Sequence, residues 1–325
     1  MTRTLSRLLV ALIAVLALGS SMTACISSPG GTAASDPNAV KVGTLRGQPH
    51  LYQPYFMEQF APEGTKYEIV LFDSSPDMKN ALASGSIDYA VMGAPSVIAA
   101  VAAGQDLRMV ASAANGGSGF VGKSEIASVK DLKGKKIGFP AGASQELLLR
   151  LTLQANGLDP SRDVQLVNLA FSDMATAYKS GQIDAFLSAE TAPSIVMQSG
   201  AKQITSPYET AIGGVNIVFA TTGTVTGKDP KLAQAVVDSF TKAVDHMNAN
   251  HAAWVDGLVS TFGVDRTVTE TAIKNITPRW QLDTAYRAQV GALAEQMVAF
   301  DQLSGVPDMA KVFDTTFVDA IQAAR

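Results

Sequence analysis

Asp77-Met78-Lys79-Asn80-Ala81-Leu82-Ala83-Ser84-Gly85-Ser86-Ile87-Asp88 returns as Asp173-Met174-Ala175-Thr176-Ala177-Tyr178-Lys179-Ser180-Gly181-Gln182-Ile183-Asp184, an offset of 173 - 77 = 96. Seven of the twelve positions are identical: the two Asp, Met, Ala, Ser, Gly and Ile. Upstream, Lys41-Val42-Gly43 matches Lys136-Ile137-Gly138 at an offset of 95, so a whole construction recurs and not one short word. Two copies a domain's length apart are too few for a solenoid, which needs about three or more stacked repeats. Two lobes of like build follow.

Around each copy the chain alternates short strand-like runs with helical ones. Residues 40–44, 67–72, 89–92 and 107–112 are β-branched, aromatic or apolar runs of strand length. Ser75 and Pro76 start a helix toward Ser84, Pro95 starts another toward Ala103, and Gly85 and Gly104 stop them. The pattern resumes with strands at 137–139, 164–169 and 185–187, and with a helix from Ser144 that puts Leu147, Leu148 and Leu151 on one face. This βαβα order predicts an α/β fold with parallel sheets. The chain crosses from the first lobe at Asn115-Gly116-Gly117 and returns at Gly213-Gly214-Val215-Asn216, so residues 40–114 with 217–325 form lobe 1 and 115–216 lobe 2. After Asp229-Pro230, the spacing of Leu232, Val236, Phe240, Val244 and Met247 predicts a helix with a core stripe. Further helical stretches, 283–300 among them, carry no sheet signal and are expected to pack on lobe 1, with Trp254 and Trp280 as packing residues.

Composition bounds the function. A length of 325 residues suits two domains at roughly 150 residues each, and 47% hydrophobic content supplies their cores. A net charge of -4 gives no basic excess for nucleic acid. One cysteine excludes an internal disulfide framework and a Cys-rich metal site, and three histidines offer little for a metal cage. Arg3 and Arg7 precede an apolar run, 8–18, shorter than the ~20 residues of a membrane span, so residues 1–24 read as a secretory signal. The single Cys25, in Met22-Thr23-Ala24-Cys25, resembles the lipobox of bacterial lipoproteins; residues 25–39 then form a lipidated cysteine with a flexible, Ser, Gly and Pro-containing tether.

In open α/β sheets ligands bind beyond the carboxyl ends of the strands, which points to the strand-to-helix loops of both lobes. These supply Arg46, Gln48 and His50, then Gly93 and Ser96, then Ser144 and Gln145, then Glu190, with Asn115 and Asn216 at the crossings. The helix start at 142–145 offers N–H groups and a dipole to an anion, although Ser144 also suits a simple N-cap. Arg46 has the donor fork to clamp that anion, or is a surface arginine. Glu190 suits an amine or a ring N–H, or a salt bridge within its lobe.

The stretches Ala81–Asp88, Asp131-Leu132-Lys133-Gly134-Lys135-Lys136-Ile137-Gly138 and Ser180-Gly181-Gln182-Ile183-Asp184-Ala185, in that order behind a lipoprotein-like signal, resemble the extracytoplasmic solute-binding proteins of bacterial ABC importers, of the nitrate, sulfonate and taurine type that also contains thiamin-pyrimidine binders. The resemblance runs from about Val40 to Ala220. It implies a two-lobed, type II periplasmic-binding-protein-like fold with the ligand cleft between lobes and the C-terminal helices on lobe 1. It also implies a small polar organic solute as ligand, no cofactor, and a membrane permease with a separate ATPase as partners. The protein would then be exported, held to the outer face of the membrane through Cys25, monomeric and not an enzyme. The family often has an aromatic residue, an acid and proline after the last strand of lobe 2; here Ala189, Glu190 and Thr191 keep only the acid. A thiamin-precursor pyrimidine is the alternative ligand. The pyrimidine synthase of the same fold carries a cysteine-rich motif that this chain lacks.

One motif points elsewhere. Gly117-Ser118-Gly119-Phe120-Val121-Gly122-Lys123-Ser124 fits the P-loop pattern G-x-x-x-x-G-K-[ST]. A P-loop needs a helix directly after the Ser, yet Gly134 follows within one turn of the next helical stretch, so nucleotide binding is the distant alternative. His246 and His251 are five apart, which does not stack them on one helical face, and they read as helix-surface residues.

Overall fold

The computed structural model describes residues 39–325. The signal, the lipobox and Cys25 lie outside the described residues. The strands, in chain order, are β1 (Val40–Leu45), β2 (Tyr67–Phe72), β3 (Tyr89–Gly93), β4 (Leu107–Gly116), β5 (Ser118–Gly122), β6 (Lys136–Phe139), β7 (Gln165–Asn168), β8 (Ala185–Ala189), β9 (Lys202–Thr205), β10 (Val215–Thr222) and β11 (Ile276–Pro278). The helices are α1 (Pro54–Met57), α2 (Ser75–Ala83), α3 (Ala94–Ala102), α4 (Ser144–Ala155), α5 (Met174–Lys179), α6 (Ala192–Met197) and α7 (Gly223–Lys228). The C-terminal part adds α8 (Pro230–Ala249), α9 (His251–Phe262), α10 (Arg266–Ala272), α11 (Thr284–Ala299), α12 (Met309–Val312) and α13 (Thr316–Ala323).

Two sheets result, ordered β11-β4-β10-β3-β1-β2 and β7-β6-β8-β5-β9. Within each, the strand of the repeated Lys-x-Gly runs parallel to both neighbours: β1 to β2 and β3, and β6 to β7 and β8. The antiparallel strand next to β3 is β10, and that next to β8 is β5. β5 directly follows the passage of the chain into the second sheet, and β10 its passage back. The α/β class is as expected, but each sheet is mixed rather than parallel, because the strand that has just crossed enters it antiparallel.

The repeat is explained by its packing. Gly85 and Gly181 take φ of 72° and 76°, values that favour glycine, and so end α2 and α5. The chain then turns back identically, with Ser86 N–H donating to Ala81 O and Gln182 N–H to Ala177 O, both at 2.9 Å. Asp88 closes the unit by accepting the Lys41 N–H at 2.8 Å on its carboxylate, and Asp184 does the same for Lys136 at 3.0 Å. Met78 and Ile87 in one lobe, and Met174 and Ile183 in the other, are buried over the strand glycines Gly43 and Gly138. A Cβ on Gly138 would lie 2.7 Å from Ile183 Cδ1, 3.1 Å from Met174 Sδ and 3.2 Å from Phe186 Cβ.

Several details differ from the expectations. Ser74, one residue before the expected start, caps α2 by accepting the Asp77 N–H at 3.2 Å, because its own backbone is extended while Ser75 is already helical. The last hundred residues do contain a strand, β11, whose Ile276 pairs with Gly116 on the edge of the first sheet; three residues ending in proline are too short to show an alternating pattern. The C-terminal helices are not confined to the first sheet either, since α10 also packs against α6, which follows β8 of the second. Elsewhere the stripe on α8 is core: Phe240 stacks on Phe219 of β10 with ring centroids 4.1 Å apart. Trp254 and Trp280 are buried, donating to Pro49 O and Asp245 Oδ1. His246 is not on the open surface; its ring lies 4.8 Å from that of Phe56.

If the glycine of each unit is required by this packing, Gly138→Ala lowers stability by about 1–3 kcal/mol, the usual cost of overfilling a tight core. Ile183→Val in that background recovers part of the loss. Urea midpoints of the two variants check this, and an unchanged midpoint for Gly138→Ala would remove the packing explanation.

Candidate functional site

The carboxyl ends of β1 and β2 face the segments that follow β7 and β8 across a cavity of about 170 Å³. Arg46, Gln48, Phe72 and Asp73 line it from the first side, and Phe171, Glu190 and Ile195 from the second. Arg46 is fixed by its backbone, whose N–H donates to Phe72 O at 3.1 Å. Its guanidinium lies 3.5 Å from Asp73, but with side chains 59% and 83% exposed this pair is weak and easily exchanged for a ligand. Gln48 is buried.

Glu190 owes its position to a local difference between the lobes. Ala94-Pro95-Ser96 begins α3 immediately after Gly93, the last residue of β3, whereas Glu190 and Thr191 intervene between β8 and Ala192-Pro193-Ser194 of α6. The second lobe therefore carries two extra residues at this turn, joined by a cis peptide bond, and one of them is the acid. Glu190 is 3% exposed, its N–H donates to Gly117 O at 2.8 Å, and its carboxyl accepts the Ser194 N–H at 3.3 Å. Burial pushes its pKa up, against the hydrogen bonds from Ser194 and Asn275.

The remaining candidates separate into other places. Ser96 lines a second space of about 320 Å³, with Pro76 and Lys79 on one side and Gly142 and Glu146 on the other. Gly93 is buried, its N–H donating to Ser75 Oγ at 3.0 Å. Ser144, Gln145 and Asn216 meet at the crossings: Gln145 Nε2 donates to Ser118 Oγ at 2.9 Å, Ser144 Oγ to Asn216 O at 3.4 Å, and Asn216 Nδ2 to Gly116 O at 2.6 Å. Asn115 leaves its Oδ1 buried without a partner there. His50 is fully buried with neither ring nitrogen bonded, and burial lowers its pKa to about 3, so it is neutral and packs behind Gly117.

The helix start at 142–145 does not stand open to an anion. Gly142 N–H already donates at 2.9 Å to the Glu146 carboxylate, which Arg150 pairs at 2.9 Å, and Ala141 N–H donates to Asn168 Oδ1. The first turn of α4 thus brings its own negative charge. Ser144 makes no cap bond. The P-loop reading fails on the same kind of observation. Residues 118–122 are strand β5, only the single turn Val129–Leu132 follows, and Lys123 is held at 2.5 Å by Asp184. Against the cost of its burial, Asp184 is kept below the usual carboxylate range by Lys123 and the Lys136 N–H. Among the described residues no group of three His, Cys, Asp or Glu is placed to hold a metal.

Sequence reasoning missed Asp73, which the strand-end rule should have found after β2, and two residues at the crossing, Tyr208 and Asn275. Tyr208 lies in the returning segment; its hydroxyl accepts the Ser118 N–H at 2.5 Å and donates to Ser118 O at 3.2 Å. Asn275 reaches the same carbonyl from the C-terminal part at 2.7 Å. No sequence signal links positions 90 and 157 residues apart.

Comparisons with known proteins fit this arrangement. The model of the family described as NMT1/THI5 like matches residues 58–253. A candidate binding protein of Brucella abortus is 28% identical over 213 residues, 63% of this chain and 65% of that protein. A candidate aliphatic sulfonates-binding protein of Bacillus subtilis is 27% identical over 278 residues, 81% of each. The chain thus spans just under two thirds of the Brucella relative's length. Among solved structures, the alkanesulfonate-binding protein SsuA of Xanthomonas axonopodis pv. citri, bound to MOPS, superposes with a TM-score of 0.76 at 24% identity, covering 87% of this chain and 100% of that one.

Glu190 gives the site a pH signature. Its pKa is raised in the folded state, so between the unfolded value near 4.5 and the folded one the native protein binds the extra proton, and stability falls as pH rises. Relative to Glu190→Gln, the parent therefore loses stability as pH increases through this window and levels off above the folded pKa. Denaturation of both proteins from pH 4 to 8 measures this, and a constant difference would mean that Glu190 ionises without penalty.

Proposed function

Because the chain belongs to the NMT1/THI5-like family, we propose that it is the substrate-binding component of an ABC importer. In this reading it captures a small polar organic solute between residues 40–114 with 217–325 on one side and 115–216 on the other. It then delivers the solute to a membrane permease driven by a separate ATPase, and catalyses nothing. The observation that carries the proposal is the cavity lined from both sheets, with a cation on one wall and a buried carboxyl on the other. A ligand touching both walls stabilises only the closed arrangement, which is how binding becomes a signal to the permease.

The named function of the Bacillus relative and the MOPS bound to the Xanthomonas protein support a sulfonate as the ligand class. The charges narrow it. Arg46 suits the anionic end, while Asp73 and Glu190 suit a hydrogen-bond donor or an amine, so a zwitterion such as taurine satisfies the cavity better than nitrate. Phe72 and Phe171 supply apolar walls that would also accept a flat aminopyrimidine, whose ring N–H and amine would use Glu190 and leave Arg46 with Asp73. Candidate contacts are therefore Arg46, Gln48 and Glu190 first. Export and a lipid anchor at Cys25 complete the proposal.

Thermal shift of the protein against taurine, alkanesulfonates, MOPS, nitrate and aminopyrimidines tests this, since a ligand at a hundred times its dissociation constant adds about 2.7 kcal/mol. A shift with none of them overturns the proposed ligand classes. With taurine or an alkanesulfonate, Arg46→Ala is expected to weaken binding tenfold or more, as the loss of a charge-assisted hydrogen bond does. Titration calorimetry reads it out, and equal affinities take Arg46 out of the site. For the anchor, Cys25→Ser is expected to move the protein from the membrane to the soluble fraction, and continued membrane association contradicts lipidation.

A further inference from the structure

The repeat that builds the two sheets is broken where the cavity lies. At an offset of 95, Arg46 corresponds to Ala141 and Gln48 to Ala143, and at an offset of 96, Ser75 corresponds to Phe171. Ser75 serves its own lobe: it is buried, and its Oγ accepts the Gly93 N–H at 3.0 Å. A phenyl ring can make no such bond. Phe171 instead opens the short turn Phe171–Asp173 after β7, and its half-buried side chain lines the cavity. Backbone bonds hold this stretch, Leu169 N–H donating to Phe139 O and Asp173 N–H to Ala170 O, each at 3.0 Å. The ring therefore stands on a fixed base.

Phe72, from the other side, is tied to packing, since its Cε2 would lie 3.2 Å from a Cβ on Gly43 and the ring covers that glycine of β1. Leu45 lines the cavity with Phe72, and Ala175 and Ile195 line it with Phe171. Both walls thus carry apolar side chains beside their charged ones. The space, about 170 Å³, is close to the ~150 Å³ that holds a benzene molecule in an apolar protein cavity. A solute that covers such walls gains about fourfold in affinity for each CH2 it buries. A bare inorganic anion has nothing to cover them with.

We propose that Phe171 is the specificity-determining residue of this cavity: it selects a solute in which an anionic head is joined to an apolar body, one small ring or a short alkyl chain, over an inorganic anion such as nitrate. Arg46 attracts both kinds, because a guanidinium pairs with any oxyanion. Contact with the ring makes the difference between them. An aromatic body adds the preference of two rings for offset or edge-to-face packing, which an alkyl chain lacks. The inference rests on the reading of the cavity as the solute site, and narrows that reading from polar organic solutes in general to those with an apolar body.

Titration calorimetry with nitrate, methanesulfonate, butanesulfonate and benzenesulfonate tests it on the parent, Phe171→Ala and Phe171→Leu. The parent is expected to bind the four with affinity rising in that order, butanesulfonate about tenfold or more above methanesulfonate. Phe171→Ala is expected to weaken butanesulfonate and benzenesulfonate about tenfold, and nitrate and methanesulfonate less than about threefold. Phe171→Leu keeps an apolar side chain on the turn and guards against an alanine variant that does not fold; it is expected to hold butanesulfonate as the parent does and to lose the advantage of benzenesulfonate. A parent that binds all four alike, or variants that weaken all four by one factor, overturn the proposal and leave the cavity as the solute site. Binding of none of the four by the parent overturns the reading of the cavity and the proposal with it, so the two failures are told apart.

Discussion

The constraint on which this structure depends is that both sheets are tied to one narrow passage, Gly116-Gly117-Ser118, and to its return at Val215-Asn216. Each sheet takes its antiparallel strand from the chain that has just crossed, β5 in one case and β10 in the other. Hydrogen bonds concentrate there. Ser118 alone contacts Tyr208 of the returning segment, Gln145 of α4 and Asn275 of the C-terminal part. Two consecutive glycines at positive φ leave no room for side chains and let the backbone bend in a way other residues resist. The groups that line the cavity stand on either side of this passage.

The cavity that results is electrostatically uneven. Its carboxyl is buried, accepts the Ser194 N–H, and is raised in pKa by desolvation. Its cation is exposed and only loosely paired with Asp73. The acceptor is thus prepaid in position, while the donor adapts to what arrives. Leaving the buried Glu190 carboxyl without a partner is costly, whereas solvent screens the exposed Arg46 charge.

Much of the fold was legible because the repeated unit is held by short-range interactions: a glycine turn, an aspartate bonded to its own strand, and a Met and Ile pair over a glycine. These leave a spelling in the sequence. The strand-end rule brings Arg46, Gln48 and Glu190 to the wall of one cavity for the same reason, since it depends on local order. Where partners lie far apart, the spelling vanishes. Lys123 looked like a phosphate-binding lysine because its partner Asp184 is 61 residues away. Ser144 looked like the lip of an anion site because nothing in the sequence reveals that Glu146 folds back on Gly142 or that Asn216 lies beside it. His50 had the chemistry of a ligand contact and the burial of a core residue, and only packing distinguishes the two.

The same comparison of lobes shows where the repeat breaks. The Met, Gly, Ile and second Asp that recur at an offset of 96 serve packing, turning and strand closure in both lobes. The words Ala94-Pro95-Ser96 and Ala192-Pro193-Ser194 also recur, but at an offset of 98. The two residues that make up the difference are Glu190 and Thr191, placed between the end of β8 and the start of α6. In the first lobe the strand runs straight into its helix, whose Ser96 lines a different space; in the second, the added turn brings a carboxyl to the cavity, where the Ser194 N–H donates to it. A site built by breaking a repeat is asymmetric from the outset. That asymmetry gives the cavity two unlike walls, one with the exposed, loosely paired Arg46 and one with a buried carboxyl held by its own helix start.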